Sequence, residues 1–270
     1  MSCSHLVHID DLAWESHNLS GQSTTPGYRK KTLVVDETTT RRVALIEVAP
    51  GYGDSSAYHD SAEEGFFISG DCYLSGEGAF EAGFYFWRPA GFVHAASSER
   101  GFVALVITEG ESSAEGSGPT SRVPRPDSEA GTNALASGES AVGPRGWVQR
   151  LDTALLPWWP GPNFFRGRGG NADLDAERLA VKVLSENART GAQSLLVRVS
   201  PSFRSEPTGP IDARVEMYVL TGSISVGERH LRAGHFAQQQ VGSTTGAIAS
   251  EEGALAILKT SARLDLAARP

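Results

Sequence analysis

Cysteine is nearly absent: Cys3 and Cys72 are the only two in 270 residues. Neither a disulfide framework nor a thiolate metal cluster is implied. Long apolar runs are missing as well, and nothing approaches the roughly 18 residues that a membrane helix needs. Met1 to Trp14 carries His5, His8, Asp10 and Asp11 and lacks the apolar core of a secretory signal. A cytoplasmic location is the expectation. Basic clusters are missing too. Against 32 acidic residues stand 24 basic ones, for a net charge of −8. Neither nucleic acid nor a membrane is therefore an expected partner. Helical periodicity is scarce, and Asn171 to Ala180 is the best short helix candidate.

What the chain does have is enough apolar residue, 40%, for a packed core, and a repeat. Leu33 to Pro50 reads LVVDETTTRRVALIEVAP, and Leu184 to Pro201 reads LSENARTGAQSLLVRVSP, 151 residues later. Each has an apolar start, a polar turn and an alternating segment ending in Pro. GFFISG after Glu64 matches MYVLTG after Glu216, Gly83 matches Gly234, and Gly91 matches Gly242. Trp14 has its counterpart in Trp158 or Trp159. Such long-period similarity means two copies of one domain. Between them, 111–146 is rich in Ser, Gly, Pro, Ala and Glu and reads as a linker or surface loop. The expected domains are 1–110 and 147–270.

Within each copy the pattern is of short strands. Arg41 to Val48 alternates, Glu64 to Ile68 and Gly83 to Trp87 are apolar and aromatic, and Gly101 to Ile107 is another apolar run. Gly and Pro separate them, as in an all-β sandwich or barrel. Phe66, Phe67, Tyr73, Phe84, Tyr85, Trp87 and Phe92 are expected mostly in the core.

Two glycine frames hold the candidate chemistry. The first runs Gly51, five residues, Ala57, one residue, His59, three residues, Glu63, six residues, Gly70. The second runs Gly83, five residues, Pro89, Ala90, Gly91, two residues, His94. Two imidazoles and a carboxylate hold a divalent transition metal and leave positions open for a reacting molecule. Strand alternation puts Glu63, Gly65 and Phe67 on one face, with Glu64 facing outward. Cys72 reads as packing, since no histidine is placed to activate it.

These frames resemble the two motifs of the cupin superfamily, in which Gly, His-x-His, Glu and Gly are followed by Gly, Pro-x-Gly and His. The flanking layout looks most like the anti-sigma-factor-type branch, which includes small-molecule dioxygenases. The resemblance implies an all-β fold of two tandem jelly-roll (double-stranded β-helix) barrels. It implies a metal at His59, Glu63 and His94: Fe(II) first, with Zn, Ni or Mn as alternatives. One departure matters. The family's first histidine falls at Ala57, which leaves three ligands and a weaker site. His5 or His8 is an alternative replacement from the N-terminal arm. His17, His230 and His235 fit no frame and read as surface residues.

In the second copy the ligands are gone. Pro210 or Ile211 stands at the His59 position, Arg214 or Val215 at Glu63, Thr245 at His94 and Gln240 at Pro89. The expected function is a metal-dependent cupin enzyme, a non-heme iron dioxygenase, acting on a small aromatic or enolisable substrate. The alternatives are a metal-dependent cyclase or isomerase, a non-catalytic small-molecule-binding sensor, and a duplicated structural protein with a decayed site. Edge strands of jelly rolls pair readily, so a homodimer is expected.

Overall fold

The computed structural model describes residues 3–16, 27–54, 61–88, 92, 94–109, 148–161, 178–186, 191–205 and 210–262. Among them the strands, in chain order, are β1 (Cys3–His8), β2 (Glu15–Ser16), β3 (Tyr28–Val35), β4 (Arg42–Val48), β5 (Glu63–Leu74), β6 (Gly78–Glu81), β7 (Phe84–Arg88), β8 (Ala96–Ser97) and β9 (Phe102–Thr108). They continue as β10 (Val148–Asp152), β11 (Trp159–Pro160), β12 (Leu179–Glu186), β13 (Gln193–Val199), β14 (Phe203–Arg204), β15 (Val215–Val226), β16 (Arg229–Arg232), β17 (His235–Gln239), β18 (Ile248–Ser250) and β19 (Ala254–Thr260). Short 3-10 turns follow β1 and β10, and no α-helix occurs among the described residues. The helix candidate Asn171–Ala180 ends in β12, and its residues 171–177 lie outside the described ones.

The strands form two antiparallel sheets of matching order. One runs β10-β7-β5-β9-β4-β3-β2, the other β1-β17-β15-β19-β13-β12-β11. The repeat is kept in space: β3 begins at Tyr28 and β12 at Leu179, 151 residues on. Each copy is built on one 12-residue strand, β5 or β15. The first half of β5 pairs β7 and β9, and the second half pairs β6 and β8. A strand that passes from one pairing set to the next is how a jelly roll closes on itself. Each copy is such a roll. Trp158 is the counterpart of Trp14: Arg29 and Lys31 lie over the Trp14 ring, Lys182 and Arg198 over the Trp158 ring.

The compact units are not the continuous stretches expected from the sequence. One is Leu12–Ala154; the other joins Met1–Asp11 to Leu155–Pro270. β1 pairs β17 of the second copy, while β10 pairs β7 of the first. The boundaries at 110 and 147 are therefore corrected: each copy lends its first strand to the sheet of the other. A six-residue strand cannot bury its apolar face alone, and either sheet edge offers it hydrogen bonds. The linker expected at 111–146 lies outside the described residues.

The frame glycine Gly70 is required by geometry. Its φ is 83°, and a Cβ there would lie 1.9 Å from the Gly101 carbonyl oxygen. Gly222 repeats this against Gly253, at 2.0 Å. Both sit just past a register shift in the long strand, where the chain changes sheets. Gly70→Ala is expected to destabilise the first unit by more than about 2 kcal/mol, from left-handed backbone strain and a backbone clash together. Urea denaturation of the variant measures it.

Candidate functional site

The inner face of β5 carries Glu63, Gly65 and Phe67, as alternation predicts. Across the ladder Glu63 faces Arg88 and Gly65 faces Phe86. A Cβ on Gly65 would lie 2.5 Å from the Phe86 ring, so the room this glycine leaves is taken by that ring. Below it Phe67, Phe80, Phe86 and Phe102 fill the barrel, with ring centroids 5.1 to 6.2 Å apart. Glu64 is on the opposite face. It is not solvated there, as expected, but buried at 3% exposure, and it accepts a 2.6 Å hydrogen bond from the Tyr85 hydroxyl. Tyr73, expected in the core, is 56% exposed.

Two of the three candidate ligands come together. Nε2 of His94 lies 3.8 Å from Oε2 of Glu63. The imidazole Nδ1 is 3.3 Å from the Phe92 carbonyl oxygen, which only a protonated nitrogen can approach favourably. That tautomer leaves the lone pair on Nε2, the nitrogen 3.8 Å from Glu63 Oε2. The backbone beyond His94 is pinned on both sides. Ala95 N–H donates to Ser75 Oγ at 2.8 Å, and Ala96 N–H donates to Asp54 Oδ1 at 2.6 Å. The third candidate, His59, lies outside the described residues, as does Ala57.

Three further polar side chains belong to this site and were not singled out from the sequence. Arg88 is almost fully buried, with Nη1 2.9 Å from Glu63 Oε2 and Nη2 2.7 Å from Glu77 Oε2. Its guanidinium stacks on Phe86, 3.8 Å from the ring centre. Alternation from Phe84 and Phe86 does put residue 88 inward, so a buried arginine seeking carboxylates was legible. Glu77, in the β5–β6 turn, carried no such signal. Asp54 was missed as well. Burial raises its carboxyl above the usual range, opposed by the Ala96 amide and by Tyr52, whose hydroxyl donates to Oδ2 at 3.1 Å.

A shared cation is compatible with this pair. Donor atoms about 2.1 Å from one ion lie about 3.0 Å apart at a right angle and about 4.2 Å apart when opposite. The observed 3.8 Å falls between. Arg88 already engages the same oxygen. Yet Glu63, Glu77 and Arg88 sum to one negative charge, so a dication meets a field that is attractive on balance. Among the described residues no group of three His, Cys, Asp or Glu side chains is arranged to hold a metal. A complete set thus needs a donor from beyond them.

The arm histidines are placed elsewhere. β1 puts His5 and His8 on the sheet of the second copy, where His8 Nε2 meets the Ala233 carbonyl at 3.0 Å. His235 is not a plain surface residue: its ring packs edge-on against His8, with centroids 4.4 Å apart. Cys72 is buried in the phenylalanine cluster, and burial pushes its thiol up to about 12. It stays protonated and covered at pH 8. Iodoacetamide is expected to label it only after denaturation, as peptide mass spectrometry will read. In the second copy the ladder settles the equivalences. Val215 faces Gln239 where Glu63 faces Arg88, and Met217 faces Ala237 where Gly65 faces Phe86.

Residues 3–111 match the ChrR Cupin-like domain. That span begins with β1, the strand lent to the other unit. No curated protein matches the sequence. Among solved structures, the chain is similar to a Nostoc punctiforme protein that carries the provisional name of a dioxygenase. The identity is 16% over 98% of this chain and 87% of that one, with a TM-score of 0.72. It is similar too to a variant of oxalate decarboxylase from Bacillus subtilis, at 14% identity over 99% of this chain and 79% of that one, with a TM-score of 0.58. At such identities the likeness concerns the fold. Residues 3–111 thus match a ChrR Cupin-like domain, and the chain as a whole shares the doubled jelly-roll fold of these structures.

Proposed function

We propose that the N-terminal barrel is the centre of a metal-dependent cupin enzyme, with His59, Glu63 and His94 as the ligands. The observation that carries this reading is the approach of Glu63 Oε2 and His94 Nε2 to 3.8 Å on the barrel's inner side. A divalent metal held there, Fe(II) first among the candidates, supplies Lewis acidity and, as iron, redox chemistry with dioxygen. Glu63 contributes charge, and His94 contributes a lone pair oriented by the Phe92 carbonyl. Arg88 neutralises part of the carboxylate charge and fixes the position of Glu63. The phenylalanine cluster keeps water from the floor of the barrel. The substrate class is a small aromatic or enolisable molecule, and the reaction is oxidative cleavage. The provisional dioxygenase name of the Nostoc punctiforme relative agrees with this.

The test is elemental analysis of protein purified without chelator, followed by oxygen consumption with phenolic and enolisable compounds. About one metal ion per chain and metal-dependent oxygen uptake are expected. Metal-free protein that gains no activity from Fe(II) would exclude the proposal.

The pairing of Arg88 with Glu63 favours a second reading, a binding module without turnover. An arginine on the ligand carboxylate competes with a metal for the same oxygen and leaves a pocket that can hold an organic molecule without one. Thermal stabilisation by aromatic acids that persists in chelator would select this reading by mass action.

A further inference from the structure

The second barrel has lost the metal ligands and four of the aromatic rings that fill the first. Four inward positions that hold Phe67, Phe80, Phe86 and Phe102 in the first copy hold Val219, Leu231, Ala237 and Ala254 in the second, by ladder register. What remains is a cavity of about 440 Å³. Its wall is aliphatic, formed by residues such as Val215, Met217, Ile224, Ala237, Ile248 and Leu258. Two polar side chains enter it, at the positions of Arg88 and His94. Thr245 Oγ1 donates to Gln239 Oε1 at 3.2 Å. One end is bordered by Glu228 and Arg229, which are both exposed and opposite in charge.

We propose that this cavity is a binding site for a neutral, apolar small molecule of about two rings that carries a single hydrogen-bonding group. Its volume is in the range of small-molecule pockets, about 300–1,000 Å³. The aliphatic part of the wall favours an apolar body, since a charge buried against it loses hydration, and Glu228 and Arg229 at the border are opposite in sign and give no net charge to attract an ion. Gln239 and Thr245 give the one polar anchor. The amide and hydroxyl bond each other and keep further donor and acceptor capacity for a ligand. The first barrel, packed with phenylalanine around an ion-paired site, and the second, apolar and open, thus divide two tasks. The inference stands independently of the metal reading.

The chain offers its own reporter. It contains only two methionines, Met1 and Met217, and Met217 lines the cavity. Protein labelled with 13C-methyl methionine therefore gives two methyl signals. Titration with 1-naphthol, a neutral two-ring aromatic with one O–H, is expected to shift the Met217 signal to saturation near one equivalent and leave Met1 in place. Ala237→Phe, which restores the ring present in the first copy, is expected to weaken binding at least tenfold. Gln239→Leu is expected to weaken it about fivefold, the worth of one hydrogen bond. His94→Ala and added chelator leave the titration unchanged. A Met217 signal that does not move overturns the proposal, and this holds without any variant. A shift that persists at full affinity in folded Ala237→Phe overturns it as well.

Discussion

Arg88→Met is expected to destabilise the first unit by about 3–5 kcal/mol. The arginine lies between two buried carboxylates, Glu63 and Glu77, whose side chains are 10% and 0% exposed. Methionine matches its stem in bulk, so little packing is lost. What remains is two buried negative charges that no longer share a cation, and that is the costly outcome of breaking a buried ion pair. The same deletion at the surface is cheap. Arg29 and Glu47 are 46% and 32% exposed, and Arg29→Ala is expected to cost no more than about 1 kcal/mol. Urea unfolding reads the difference, as a midpoint shift of about 2 M for Arg88→Met. A second measurement ties the effect to charge. Mn(II) is expected to stabilise Arg88→Met more than the parent chain, because the freed carboxylate gains affinity for a dication. A loss below about 1 kcal/mol would mean that the carboxylates are protonated or solvated, and that Arg88 is not their counter-ion.

His94→Ala is expected to lower metal affinity by about 100-fold or more while leaving the fold nearly as stable. Altering residues behind a ligand already costs about 10- to 100-fold, so deleting a ligand costs at least the upper end. The ring stacks on Phe92 and its Nδ1 faces the Phe92 carbonyl, and the named strands do not include residue 94. Glu63→Gln should lose metal equally but also weaken the hold on Arg88, so it separates from His94→Ala in stability. His235→Ala, on the other sheet, serves as the control and retains the metal. Competition titration with a metal-sensitive dye gives the affinities. Equal affinity in His94→Ala and the parent would move the metal away from this pair.

Much of this was legible along the chain. The choice of Glu63 over Glu64 followed from its spacing to Gly70, and two-residue alternation then turned Glu64 to the other face. The fate of Glu64 did not follow, because alternation says which face a residue takes and not what covers that face. Here Tyr85 meets it. The strands β4, β7 and β9 were read within a residue or so, since apolar alternation and bounding glycines are local signals. The long strand β5 was read short, as Glu64 to Ile68, because a strand serving two sheets looks in sequence like a strand, a glycine and a turn. Arg88 could have been read from its inward register, but its partner Glu77 could not. That pairing closes through the β5–β6 turn and is set only when the barrel forms.

The sequence by itself determined that this protein is two copies of one β domain, that the first keeps two motif-framed histidines and a glutamate, and that the second has lost them. Those facts rest on spacing and residue type, which are local. Only the tertiary structure decided where the first strand of each copy goes, that a buried arginine sits on the candidate ligand Glu63, and that the second barrel is hollow. Each of these depends on contacts between residues far apart in the chain, whose outcome is set by which sheet edge, charge or ring is nearest once the sheets have closed.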